Sequence, residues 1–213
     1  MFNWNEREIL RYLGHQGQNI PENVGQLMTE CRQELEREAA PKSIWRSYPL
    51  GVAETEIDAS CFQTTSRNLA HNLKDCDEII LFGATLGSQV DVLLMKYGKL
   101  SVSKAVVMQA AAVAMLETYC DEQNEELKAV YLSKKRYLRP RFSPGYGDFS
   151  LTCQQPIVSA LELSKRIGIT LTESLLMVPS KSVTAVIGVS RIPQNCQVQG
   201  CETCARRDCL YRR

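Results

Sequence analysis

The 213-residue sequence predicts an α+β fold, a mixed or antiparallel sheet with packed helices. Three observations carry that prediction. Residues 78–85 (EIILFGAT) are nearly all apolar and end at turn-like residues, the pattern of a strand buried on both faces. From Glu22 onward, Val24, Leu27, Met28, Cys31, Leu35 and Ala39 fall on one helical face, while Glu30, Arg32, Glu34 and Arg37 face water. Strands and helices are mixed throughout, without the steady alternation of a doubly wound sheet.

The elements follow in order. Asn5 with Glu8 three residues on reads as a capped helix start; Ile9, Leu10 and Leu13 point inward and Gly14 stops it. Residues 17–21 form a loop, and Pro41 ends the helix that begins near Glu22. Residues 43–50 and 52–57 read as two strands around Gly51. Thr65 is placed to cap a helix carrying Leu69, Ala70 and Leu73. After the apolar strand, a helix over 89–97 is stopped by Gly98. Ser103 then caps a longer helix through Cys120 or beyond. Ala110, Ala111, Ala112 and Ala114 leave its backbone open to close approach, and Val106, Val107, Val113 and Leu116 make it apolar nearly all round, hence buried. Residues 127–133 fit either a continuation of that helix or a strand.

Composition narrows the function classes. Hydrophobic content of 44% and charged content of 23% are ordinary for a globular protein, and the length can bury one sizeable core. A net charge of +1 provides no global field to recruit nucleic acid or a membrane surface. The longest apolar-rich run, 105–116, contains Gln109 and is too short to span a bilayer. Glu6, Arg7 and Glu8 interrupt the place where a signal peptide needs an apolar core, so a cytoplasmic protein is expected. Residues 82–87 (FGATLG) lack both the GxGxxG spacing and a P-loop lysine, and read as a tight strand-to-helix turn. With only His15 and His71, histidine acid/base chemistry is poorly supplied.

Residues 139–148 (RPRFSPGYGD) are the candidate ligand loop. Pro140 and Pro144 stiffen the backbone, while Gly145 and Gly147 permit positive φ and let a ligand lie against the main chain. Arg141 offers a planar fork suited to a carboxylate or phosphate, and Tyr146 an aromatic face with one hydroxyl. Together they suit a small zwitterionic ligand. A structural turn whose arginines pair with the fold's own acids is the alternative from chemistry alone.

Arg141 stands four residues before Gly145-Tyr146. Further on come a helix over 155–167, Leu171-Thr172-Glu173-Ser174, Met177-Val178-Pro179, and Ser182-Val183-Thr184 opening an alternating strand. This order, densest over 139–189, resembles the S-adenosylmethionine-binding activation domain of cobalamin-dependent methionine synthase. The resemblance implies that Arg141 grips the ligand carboxylate and that Pro144, Gly145 and Tyr146 shape the pocket. It also implies that Glu117, on the upstream Ala-rich helix, faces the cationic end. Gly147 departs from the family's Gly-Tyr-Pro, and the strand after Ser182 lacks the family's aromatic residues. No cobalamin-binding loop of the Asp-x-His-x-x-Gly kind is present.

Of the nine cysteines, Cys31, Cys61, Cys76, Cys120 and Cys153 lie mostly in apolar patterns and read as small buried hydrophobes. Cys196, Cys201, Cys204 and Cys209 crowd into the C-terminus with spacing suited to zinc or an iron–sulfur cluster; a reduced or disulfide-linked tail is the plainer alternative. The expected organisation is an activation-like domain over 1–192 and a Cys-rich tail over 193–213. The resemblance implies reductive reactivation of a cobalamin-dependent methionine synthase, or a related corrinoid methyltransferase. S-Adenosylmethionine would be the methyl donor, cobalamin would come from the partner, and an electron-donor protein is a further expected partner. A non-catalytic, metal-tailed adaptor that keeps the fold without the ligand is the alternative.

Overall fold

The computed structural model describes residues 4–15, 20–53 and 56–193. The chain is α+β, and its spine is a four-stranded antiparallel sheet in the order β1 (Lys42–Pro49), β5 (Cys76–Thr85), β9 (Ser182–Ser190), β6 (Tyr137–Leu138). The two central strands, β5 and β9, pair from Thr85↔Ser182 to Cys76↔Ser190, with a register shift between Cys76 and Glu78. Both are buried on both faces over most of their length, which accounts for the apolar runs 79–82 and 185–187; β9 is thus not the half-exposed alternating strand expected, and its Thr184 and Ser190 are buried too.

Side-chain alternation sends Ile80, Phe82, Ala185 and Ile187 to one face and Ile79, Leu81 and Val186 to the other. The first face is covered by α1 (Glu6–Tyr12), α2 (Glu22–Glu38), α4 (Ser88–Leu100) and the long α5 (Val102–Leu132). The second carries α3 (Arg67–Asn72), α6 (Gln154–Ala160), α7 (Leu163–Arg166) and two small sheets. These are β2 (Gly51–Ala53), β3 (Glu56–Asp58) and β4 (Gln63–Thr64), and the pair β7 (Thr170–Leu171) with β8 (Met177–Val178). α2 is tied to α5 by Lys104, whose Nζ lies 3.1 Å from Glu30 and 2.8 Å from Glu34, and Tyr97 also donates to Glu34.

Several elements differ from the sequence expectation, each for a local reason. The second strand predicted beyond Gly51 is two short strands, β2 and β3, paired antiparallel. Ser66, not Thr65, caps α3 by accepting from the Leu69 amide. Gly98 sits inside α4, which continues to Leu100, and Ser101 rather than Ser103 caps α5 by accepting from Lys104. Residues 127–132 continue α5, which is 31 residues long, and Ser133 is its C-cap. Its first turns are not buried all round: Val102 and Val106 are 74% and 54% exposed. The single helix predicted over 155–167 is broken into α6 and α7 at Glu162, whose φ is +51°. Of the five scattered cysteines, Cys31, Cys120 and Cys153 are buried and Cys61 and Cys76 half-buried, all as free thiols. Burial pushes Cys31 and Cys76 up to about 11 and Cys120 up to about 12, so they stay protonated.

Gly188 shows how tightly the second face is built. A Cβ there would stand 2.7 Å from Cys76 Sγ, 2.8 Å from Leu73 Cδ2 and 3.1 Å from Arg139 Cγ. Gly188→Val is expected to lower the unfolding free energy by about 1–3 kcal/mol through overpacking, read as a reduced urea midpoint with unchanged slope.

Candidate functional site

The candidate loop begins as an edge strand, not as free coil. Leu138 pairs with Val189, the Arg139 amide donates to Gly188, and Phe142 and Val186 exchange both hydrogen bonds at 2.9 and 2.8 Å. From the first pair to the last, this strand advances four residues while β9 advances three. One residue is therefore extra, which makes a β-bulge around Pro140, a residue with no amide hydrogen to contribute. The bulge resets the alternation. Leu138 packs on the α5 side and Phe142 on the opposite side, where a regular strand would put both on one face.

The two arginines are separated in the same way. Arg139 is 2% exposed, packs against Gly188 on the α3 side, and donates to the Lys74 carbonyl at 3.1 Å. Arg141 turns to α5. Its Nη2 lies 3.3 Å from Glu117 Oε2 and 2.8 Å from Asp121 Oδ1. The Arg141 side chain is 17% exposed, Glu117 34% and Asp121 65%, so the trio grades from the protein wall to solvent. Arg141 Nη1 is buried with no acceptor among the described residues. A buried guanidinium donor without a partner is costly, and its chemistry calls for an oxygen acceptor.

The rest of the loop is held at several points. Phe142 and Phe149 meet as tilted rings with centroids 6.1 Å apart, and Phe149 meets Phe62 at 5.9 Å. The Gly145 amide donates to the Phe149 carbonyl at 2.8 Å, which closes the turn. Gly145 has φ +92° and Gly147 φ +55°, both left-handed. Proline at 147 would demand φ near −65°, so the departure from Gly-Tyr-Pro has a backbone cause. Pro144 is buried beneath the turn, and Tyr146 is 68% exposed at its tip. Asp148 accepts from the Arg67 and Asn68 amides at 2.8 and 3.1 Å and from the Ser66 hydroxyl, so it ties the loop to the start of α3.

The structure thus brings Glu117 and Arg141 into contact and sets Pro144, Gly145 and Tyr146 on the turn that follows. Cys196, Cys201, Cys204 and Cys209 lie outside the described residues. Two residues were missed from sequence. Asp121 stands one helical turn after Glu117, and that spacing alone put it on the same face. Tyr12, from α1, carried no local signal. Burial first, and then the Glu117 carboxylate, push its hydroxyl above the usual tyrosine value. Tyr12 also lines an apolar cleft of about 610 Å³ with Leu94, Val102, Val106, Gln109 and Val113. The α5 members of that lining follow the same helical stripe as Glu117.

Comparison with known proteins fits this arrangement. The family profile described as "Vitamin B12 dependent methionine synthase, activation domain" matches residues 77–205, more than half of the chain, and the protein belongs to that family. Members of the family are involved in S-adenosylmethionine-dependent reactivation of cobalamin. Among solved structures, "Crystal Structure of the MetH Reactivation Domain bound to AdoHcy" aligns with TM-score 0.61 and 18% identity, over 81% of this chain and 67% of that one. At that identity the likeness establishes the fold. No curated protein matches the sequence. Among the described residues no helix is long and apolar enough to cross a membrane.

The Asp148 clamp has a pH signature. Its carboxyl is held below the ordinary 3.8, first by the Ser66 hydroxyl and then, against some desolvation, by the two α3 amides. A depressed folded value means that the clamp is complete above 3.8 and is lost as pH falls through the lower folded value. The protection of the Arg67 and Asn68 amides from exchange, taken by NMR relative to the unstructured rate at each pH, is expected to fall on that acid descent. Asp148→Ala is expected to show the reduced protection already at neutral pH.

Proposed function

We propose that this protein binds S-adenosylmethionine at the Arg141 loop and serves the reductive reactivation of a cobalamin-dependent methionine synthase or a related corrinoid methyltransferase. The observation that carries the reading is the Arg141 guanidinium, set against Glu117 with a buried Nη1 that has no acceptor among the described residues. Arg141 takes the ligand carboxylate, in which a planar fork meets two oxygens. Glu117 takes the ammonium. Pro144, Gly145 and Tyr146 shape the turn against which the rest of the ligand lies, and the bare backbone at Gly145 allows close approach. When bound, S-adenosylmethionine supplies a methyl group to the reduced corrinoid of the partner. This chain's part is orientation: it holds the donor by its amino-acid end so that the methyl group faces outward. The relative's name supports the ligand class, since that domain is bound to AdoHcy.

No Asp-x-His-x-x-Gly loop lies in these 213 residues, and in this reading the corrinoid is supplied by a partner protein. We place the activation-like domain at 1–192 and the Cys-rich tail at 193–213, in a cytoplasmic protein. The tail holds a zinc ion or an iron–sulfur cluster through Cys196, Cys201, Cys204 and Cys209, with Arg206 and Arg207 offsetting the thiolates. A cluster there would suit the electron delivery that reactivation needs, with a separate electron-donor protein upstream. The second reading, a fold-retaining adaptor without the ligand, is favoured by one observation: Arg141 already pairs with Glu117 and Asp121.

Titration calorimetry with S-adenosylmethionine separates the two. Saturable heat is expected from the intact protein. Arg141→Ala is expected to weaken binding roughly thirtyfold or more, the cost of truncating one partner of a desolvated charge pair. Absence of heat from the intact protein at millimolar ligand supports the adaptor. Anaerobically purified protein that is brown and carries iron supports the cluster; colourless protein with stoichiometric zinc dismisses the electron-relay role.

A further inference from the structure

Glu117, Asp121 and Arg141 form a set of two anions and one cation, and the guanidinium serves both acids through a single nitrogen, Nη2. On the reading proposed above, a ligand carboxylate takes over that guanidinium. Both acids then lose their cation at once. One ammonium can restore only one of them. S-Adenosylmethionine carries a second cation, the sulfonium, whereas its demethylated product S-adenosylhomocysteine carries a neutral thioether in its place.

We infer that Asp121 is the charge-selecting residue of this site: it pairs with the sulfonium and so makes the protein hold the methyl donor more tightly than the spent thioether. The arrangement suits this in three respects. Asp121 is one turn from Glu117 on α5, about 6 Å along the surface, comparable to the separation of the ligand's ammonium and sulfonium. It is 65% exposed against 34% for Glu117, so it lies on the outward side, where the methyl group must be presented to a partner. Its carboxylate has Arg141 as its one ion-pair partner among the described residues, so displacement leaves it free for a new cation. With the sulfonium ligand, the exchange ends with every charge matched: carboxylate on Arg141, ammonium on Glu117, sulfonium on Asp121. With the thioether, Asp121 ends without a counter-charge. Selection of this kind favours release of the used ligand and its replacement by a fresh one.

The test is the ratio of two affinities, measured by calorimetry on the intact protein and on Asp121→Asn with both ligands. The intact protein is expected to prefer S-adenosylmethionine. The preference should narrow as salt rises, because a largely exposed pair is screened over about 10 Å at 0.1 M. In Asp121→Asn the preference should shrink about two- to fivefold, the scale of an exposed ion pair. Glu117→Gln, by contrast, should weaken both ligands together, since both carry the ammonium. A general loss of folding would also lower both affinities and leave their ratio unchanged. If the intact protein binds both ligands equally, or if Asp121→Asn keeps the full preference, the inference is overturned while the proposed function stands. If neither ligand binds the intact protein, the proposed function fails and the inference falls with it.

Discussion

The candidate site depends on how one short edge strand is threaded beside β9. A strand running without interruption from Leu138 to Phe142 would aim Arg139 and Arg141 to the same side of the sheet, and both would compete for one environment. The bulge at Pro140 prevents this. It lets Arg139 close the second face of the core by bonding the Lys74 carbonyl, while Arg141 crosses to meet α5. One arginine is packed into the core and the other meets the acids of α5, and only the backbone register tells them apart.

The supports of that edge explain the remainder of the architecture. β9 can anchor an irregular neighbour because its other side is locked to β5 over its whole length, with apolar residues on both faces. α5 can present Glu117 and Asp121 as a fixed pair because the helix is long, capped by Ser101, and held by α1, α2 and α4. Residues before 77 lie outside the family match, yet α2 and β1 complete the first face and the sheet. They are part of the same core rather than an appendage. The second face has the same logic on a smaller scale: Gln154 of α6 donates to the Leu175 carbonyl, and Thr184 of β9 donates to Gln154, so the β7–β8 pair is attached to the central sheet.

Much of this was legible in the sequence, and what escaped has a physical pattern. β5 and α2 were readable because burial writes itself into long apolar runs and periodic faces, whereas β9, with serines and threonine among its apolar residues, read as an alternating strand although both its faces are covered. The loop could be singled out because proline, glycine and arginine each have a distinct physical use there. The bulge was not legible: nothing in Arg139-Pro140-Arg141 tells how many residues of β9 lie opposite. Tyr12 on α1 feels the Glu117 carboxylate more than a hundred residues away in sequence, and such proximity is a property of the packed state alone. Helix boundaries near Gly98 and Glu162 went the other way from propensity. Gly98 keeps a helical backbone inside α4, whereas Glu162 takes a left-handed conformation that its residue type does not advertise. Thr65 and Ser66, like Ser101 and Ser103, are chemically similar caps, and only the direction of the entering chain decides between them.

The loop's attachments have a further consequence, for the thermodynamics of encounter. Its start is hydrogen-bonded to β9, its middle is closed by Gly145 on Phe149, and its end is fastened to α3 by Asp148. Most of the disorder that a flexible binding loop would surrender on capture has therefore been surrendered during folding. On the reading proposed above, a small ligand meets a surface already in shape, and its dwell time is governed by the strength of a few charge contacts rather than by the reopening of a lid.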